Sequence, residues 1–328
     1  MHIGRFRDVS MRVFWGVVER DLVTPLDIKA ESTGDFFQTL EGIPNVIQNF
    51  GLTERINLSD LEVLSPITSP CRIICQGKNY LDHLLDTGIR KEDKKYNMFF
   101  NKSSASVTGP NSPIVRPKGV RLLDYEVELG LVLKASIDRP INVEFSHMHE
   151  YIGGIVIGND ISARDIQLPQ SQFFKGKSYR SFCPLGPFIF LTGRNEMKYL
   201  ESLTVELKVN GVTKQRASTS DMIYKPWETL SELSEFSDLE AGDVILTGTP
   251  KGTALSQKKG LRTWLRRLLG ESKRWEIFIR EQEKSGRYLA NGDVIESRIF
   301  SSDGRIDLGV QRNRVVYEEE NDHDRNYL

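Results

Sequence analysis

The chain has almost no excess of either charge: 44 Lys and Arg stand against 45 Asp and Glu, a formal net charge of -1 over 328 residues. A balance that close supplies no field to draw the protein onto nucleic acid or an anionic membrane. Long apolar runs are missing as well, since nothing approaches the roughly 20 residues needed to span a bilayer. Residues 1–10 carry His2, Arg5, Arg7 and Asp8 and lack the apolar centre of a secretory signal. The expected location is cytoplasmic, with neither membrane nor nucleic acid as a partner. Cysteine is scarce, with only Cys71, Cys75 and Cys183. An odd, low number argues against a disulfide framework. Cys71 and Cys75 flank Ile73-Ile74 in what reads as a buried strand, so their expected role is core packing.

What remains is an ordinary globular balance, 39% hydrophobic and 27% charged. Residues 11–24 read as a hairpin turning near Glu19–Asp21. Phe36, Phe37, Leu40 and Ile43 fall at helical spacing within 35–48. A serine- and proline-bearing stretch then ends near Pro70. We read 1–66 as a small N-terminal α/β domain and 67–317 as the catalytic domain, followed by a charged tail at 318–328. Beyond Pro70 short strands dominate. RIICQG and YEVELGLVLK are two of them, and YIGGIVIGND reads as a strand buried on both faces. Leu203, Val205, Leu207 and Val209 alternate before Asn210-Gly211, a strong hairpin signal. Gly242 and Gly292 mark turns ahead of two further strands. The fold class expected is α+β and β-rich, without regular βα alternation. Within 254–289, Leu261, Trp264, Leu265, Leu268 and Leu269 form one helical stripe, and Arg266 and Arg267 lie on the basic remainder. We expect this basic amphipathic helix to shape the substrate entrance or a subunit contact.

The chemistry starts at Asp124-Tyr125-Glu126-Val127-Glu128. Strand alternation puts Asp124, Glu126 and Glu128 on one face and Tyr125, Val127, Leu129 and Leu131 on the other. Carboxylates so crowded either sit on a solvated face or hold a hard cation through oxygen. Asp160, at the end of the apolar strand IGGIVIGN, strengthens the cation reading, because a chain leaving a buried strand can aim a carboxylate into a pocket, although alone an Asp at a strand end is usually a turn or helix cap. Asp165 nearby reads as a turn or helix cap. His83, with Asp86 three residues later on a short helix, has the spacing of a general-base dyad, and also that of a surface pair. His147 and His149 read as surface residues. Lys177 is a lone lysine by itself. The TGTPKGT turn at 247–253 offers hydroxyls and backbone N–H groups to a carboxylate or oxyanion.

Together GKNYLDH, DYEVELG, GNDISARD, GKSYRSFCPLGP and TGTPKGT, in this order, resemble the fumarylacetoacetate hydrolase superfamily over about 70–255 and again at 290–317. The resemblance implies a mixed β-roll, usually dimeric. Glu126, Glu128 and Asp160 would bind Mg²⁺ or Mn²⁺, with Ca²⁺ also compatible. The His83 motif would supply a base on a lid, and Lys177 would contact the bound substrate or its ligands. Thr249 would bind a carboxylate or oxyanion, and Arg164 and Gln167 would contact substrate. Gln76 replaces the metal-binding Asp of the long eukaryotic branch, which points to the shorter branch. Asp86 stands where that branch commonly has Glu, and 254–289 is longer than usual. The expected activity is hydrolytic C–C cleavage of a small anionic 1,3-dioxo acid such as an acylpyruvate, with His83-Asp86 activating water and the metal stabilising the enolate. Decarboxylation of a β-oxo acid and isomerisation or hydration of a hydroxydienoate are alternatives on the same site, and a non-catalytic metal-stabilised binding protein is a further one. A homodimer is expected.

Overall fold

The structure is a computed structural model that describes residues 1–42, 55–86, 94–255 and 270–318, with the backbone alone for Glu41, Gly42, His83, Leu85 and Asp86. The stripe from Leu261 to Leu269, Arg266 and Arg267, and nearly all of the charged tail lie outside the described residues.

The chain opens with β1 (His2–Arg7), then the expected hairpin β2 (Val13–Glu19) and β3 (Leu22–Pro25). Arg20 takes a left-handed conformation at the turn, φ 56°. Helix α1 (Thr33–Gly42) buries Phe36 and Phe37, with Phe36 stacked on Trp15 at 4.6 Å. Next come β4 (Ile73–Gly77), the short helix α2 (Leu81–Asp86), β5 (Met98–Lys102) and β6 (Ile114–Arg116). The two apolar central strands are β7 (Val127–Leu133) and β8 (Ile152–Asn159), and every residue of both is buried. Helices α3 (Arg164–Gln170) and α4 (Phe173–Lys177) follow, then β9 (Ile189–Leu191) and the hairpin β10 (Thr204–Val209) and β11 (Val212–Ser218). Its turn residues Asn210 and Gly211 both have positive φ, 50° and 78°, as a primed turn requires. The chain continues through α5 (Pro226–Ser234), β12 (Val244–Leu246), α6 (Glu271–Glu283), β13 (Val294–Phe300) and β14 (Asp307–Tyr317).

These strands make a mixed α+β, sheet-dominated architecture. The larger sheet has 11 strands and runs β3-β2-β1-β9-β8-β7-β12-β4-β5, with short strands beside β3 and β1. β12 pairs with β4 in parallel, and the other pairs in this sheet are antiparallel. A five-stranded sheet runs β11-β10-β13-β14-β6. Alternation along β7 explains the layering. Val127, Leu129 and Leu131 join a core with Val205, Leu207, Ile295 and Leu308 of the smaller sheet. Val132 turns the other way, into a core shared with Val156, Val244, Phe36, Phe37 and Trp15. Segment 1–66 thus contributes both strands and core to the larger sheet, while Phe6, Val18, Val23 and Leu61 form a small cluster of their own. Cys75 and Cys183 are buried and Cys71 half-buried, all unpaired, as the core reading expects.

Candidate active site

The acidic centre is a product of strand register. β7 and β8 are antiparallel, with Val127 opposite Asn159 and Glu128 opposite Gly158. The Asp160 N–H donates to Glu126 O at 2.8 Å, and the Glu126 N–H donates to Asn159 Oδ1 at 2.9 Å. Three carboxylates from two strand ends therefore converge: Glu126, Glu128 and Asp160 are buried and each offers an oxygen within 4.8 Å of the others. The solvated-face reading fails here. Simple alternation fails too, because Leu123–Asp124 is a separate two-residue strand and β7 begins only at Val127. Asp124 leaves the cluster and accepts from Arg164 Nε at 2.8 Å and from the N–H groups of Ala254 and Leu255 at 2.7 and 3.2 Å.

Buried like charges need cations. Lys177 Nζ bonds both Glu126 and Asp160, and Arg164 bonds Glu126 as well as Asp124. A second buried ammonium, Lys102 at the end of β5, donates to Asp160 Oδ1 at 2.6 Å and to Ile161 O at 3.2 Å. Burial alone would push Lys177 down, but Asp160 and Glu126 outweigh it and hold its pKa above the ordinary value. Glu128 accepts from the Gly248 N–H at 2.8 Å, and burial with neighbouring Asp160 and Glu126 pushes it well above the carboxylate range. An all-oxygen, charge-crowded donor set with one carboxylate that resists ionisation fits a hard divalent cation held by Glu126, Glu128 and Asp160.

Glu126, Glu128, Asp160, Arg164 and Lys177 line a cavity of about 260 Å³, together with Gln76, Lys78, Phe100, Gln167 and Thr249. A second cavity of about 330 Å³ near the start of α1 is lined by Ser32, Thr33, Arg72 and Asp243, away from the acidic cluster. Arg164 and Gln167 both line the site, where Arg164 Nη1 donates to Gln167 Oε1 at 2.8 Å. The Thr249 hydroxyl donates to Val127 O and accepts from Gln215 Nε2, at 2.9 and 2.8 Å. Its hydrogen is thus committed to the backbone. Gly248, with φ 89°, brings the loop so close that a Cβ there would lie 2.9 Å from Asn79. Gln76 is buried and donates to Asn97 and Thr229, while its Oε1 has no partner among the described residues. Asp165 accepts from the N–H groups of Arg121 and Leu122, a structural tie. His147 is exposed and His149 half-buried. His83 and Asp86 lie on α2, the short helix that follows β4, but their side chains are outside the described part.

Sequence reasoning missed Lys102, Asn79 and Gln215. Asn79 is fully buried, donates to Tyr224 O and Thr247 O, and accepts from the Tyr224 N–H. It stitches the β4–α2 junction to the 247–253 loop. Lys102 carried a faint signal, since it closes the apolar run Met98-Phe99-Phe100.

Fold and site define a sheet-dominated α+β enzyme with a buried acidic centre. The family described as Fumarylacetoacetate (FAA) hydrolase C-terminal matches residues 72–316, and the chain belongs to that family. It is 40% identical to Oxaloacetate tautomerase YisK of Bacillus subtilis over 198 residues, 60% of this chain and 64% of that protein. It is 34% identical to the mitochondrial Oxaloacetate tautomerase fahd2 of Xenopus laevis over 62% of each chain. These matches span a little under two thirds of the relatives' length. Among solved structures it resembles a fumarylacetoacetate hydrolase from Exiguobacterium antarcticum, at 29% identity and TM-score 0.74, covering 97% of this chain and 100% of that one. It also resembles a probable 2-hydroxyhepta-2,4-diene-1,7-dioate isomerase from Mycobacterium abscessus, at 29% identity and TM-score 0.72, covering 98% and 100%. Among the described residues no helix is long and apolar enough to cross a membrane.

Proposed function

We propose that this enzyme interconverts the keto and enol forms of a small 2-oxo diacid at the cavity around Glu126, Glu128 and Asp160. The observation that carries this reading is Lys177, an ammonium buried in the cavity wall and kept charged by two carboxylates. Such a group can oppose negative charge developing on a substrate oxygen without itself taking up or losing a proton. The reaction needs only one proton moved: it leaves C3, its electron pair shifts toward the C2 oxygen, and that oxygen is protonated, with no atom gained or lost. His83 on α2 is the proposed holder of the C3 proton, oriented by Asp86. Arg164 fixes Glu126 against Asp124 and presents the cavity with a preorganised wall. A Mg²⁺ or Mn²⁺ ion held by Glu126, Glu128 and Asp160 would supply Lewis-acid stabilisation of the substrate's oxo-carboxylate end. Relatives named as tautomerases and structural neighbours named as isomerases support a proton shift that consumes no water.

Hydrolytic cleavage of a 1,3-dioxo acid is the second reading, favoured by the likeness to the Exiguobacterium hydrolase. It shares the carboxylate centre and adds a water activated by His83 and Asp86. The two separate in one experiment. Enol absorbance and C3 hydrogen exchange of oxaloacetate are followed in D₂O with Mg²⁺, with Mn²⁺ and with a chelator, beside cleavage of an acylpyruvate. The proposal expects fast exchange that is lost on chelation and abolished in Glu128→Ala. Rapid acylpyruvate cleavage without accelerated exchange would establish the hydrolase instead.

A further inference from the structure

The cations in the cavity wall and behind it differ in whether the protein already occupies them. Lys102 is held by Asp160 and Ile161 O, Lys177 by Glu126 and Asp160, and Arg164 by Asp124, Glu126 and Gln167. Lys78 lines the same cavity, yet among the described residues its side chain has no hydrogen-bond or ion-pair partner. It is half-buried, and burial draws its pKa below the ordinary lysine value. A partly desolvated ammonium lacking a counter-ion is unfavourable by itself and is relieved by an incoming carboxylate.

Its backbone is also held in an uncommon state. Lys78 has φ 55°, a left-handed conformation that a non-glycine residue keeps only when its surroundings enforce it. The enforcement is visible on both sides. Lys94 Nζ donates to Lys78 O at 2.6 Å and to Gly77 O at 3.3 Å. Asn79 is buried and tied to Tyr224 and Thr247. The junction between β4 and α2 is therefore a rigid mount for the Lys78 side chain at the cavity wall.

Charge counting gives the mount a purpose. Asp124, Glu126, Glu128 and Asp160 face three buried cations, which leaves one negative charge when all are ionised. A divalent ion turns that into one positive charge, and a dianionic substrate into one negative. Lys78 closes the balance. We propose that Lys78 receives the distal carboxylate of a dianionic substrate and so selects diacids over monoacids. This rests on the reading of the site as one for small oxo diacids.

The test uses full-length protein and the variants Lys78→Met and Lys78→Arg. KM for oxaloacetate is compared with the inhibition constant of oxalate, which has the chelating end and no distal carboxylate, and Mn²⁺ affinity is measured directly. Lys78→Met should raise KM by about 10- to 100-fold, the scale of a lost charge-assisted hydrogen bond. Oxalate inhibition and Mn²⁺ affinity should stay within about threefold, and Lys78→Arg should recover most of KM. An unchanged KM, or an equal weakening of oxalate, overturns the assignment while leaving the acidic centre intact. Wild-type protein that takes up no Mn²⁺ overturns the underlying reading and this one with it.

Discussion

At the scale of the residue, Lys102 has the sharpest consequence. Its side chain is fully buried and its partner Asp160 equally so, at 2.6 Å. Removing one member of a buried pair leaves an uncompensated charge, which typically costs about 3–5 kcal/mol. Lys102→Met should therefore lose stability on that scale in urea unfolding with chelator present, and added Mn²⁺ should restore part of it by binding the freed carboxylates. A loss below about 1 kcal/mol would mean that Asp160 is satisfied by Lys177 alone. Individual residues were unevenly legible in the sequence. Glu126, Glu128 and Asp160 could be picked out because they fall in motifs that resemble the family's, whereas strand spacing alone left a solvated face equally open. Lys102 and Asn79 could not, because a lysine closing an apolar run and an asparagine before a short helix have commonplace uses. Only tertiary packing shows which carboxylate and which carbonyls they meet. Asp124 was visible as part of the acidic run, but its bonds to Ala254 and Leu255 arise between segments 130 residues apart.

At the scale of the element, α2 matters most, since it carries His83, the proposed base. Its first turn is tied to the 247–253 loop by Lys251 Nζ and Asp82 Oδ2 at 2.5 Å, a pair exposed on both sides. Exposed pairs contribute about 0–1 kcal/mol. That is too little to hold the fold and enough to slow the local opening of a short helix. Lys251→Ala should speed amide hydrogen exchange in 81–86 several-fold, and high salt should produce the same change in the wild type. Equal exchange in both proteins at low salt would remove the tether from the account. Strands and hairpins were the most legible elements. The alternation in LTVELKV and its Asn-Gly turn appear as β10 and β11, and IGGIVIGN, apolar throughout its middle, appears as a strand buried on both faces. The acidic strand was less so: its reading assumed one unbroken run, whereas the backbone leaves the ladder between Asp124 and Val127. No periodicity rule anticipates that break, which comes from the short pairing of Leu123–Asp124 with Ser162–Ala163.

At the scale of the whole molecule, the β-rich α+β class followed from the rhythm of short strands and turns, but the joining of segments did not. β1 lies against β9, and Phe36 and Phe37 share a core with Val156 and Val244. A boundary near residue 66 therefore makes a definite experiment. A 67–317 fragment should bind a hydrophobic dye and unfold without cooperativity, because β9 loses its neighbour and that core loses its aromatic layer. A fragment that unfolds in one sharp transition would establish 1–66 as a separately stable unit. The bonds around Asp124 have a different kind of consequence. Ala254 and Leu255 are fastened to Asp124, and on the far side Leu289 N–H donates to the adjacent Leu123 O at 2.9 Å. The chain thus departs and returns at neighbouring residues beside the acidic cluster. Because the cost of closing a loop grows only slowly with its length, a change in the length of the segment between those two fastenings should leave the acidic cluster in place. For a protein engineer the same geometry is a port: a foreign segment spliced there inherits a position at the site with both ends already fixed.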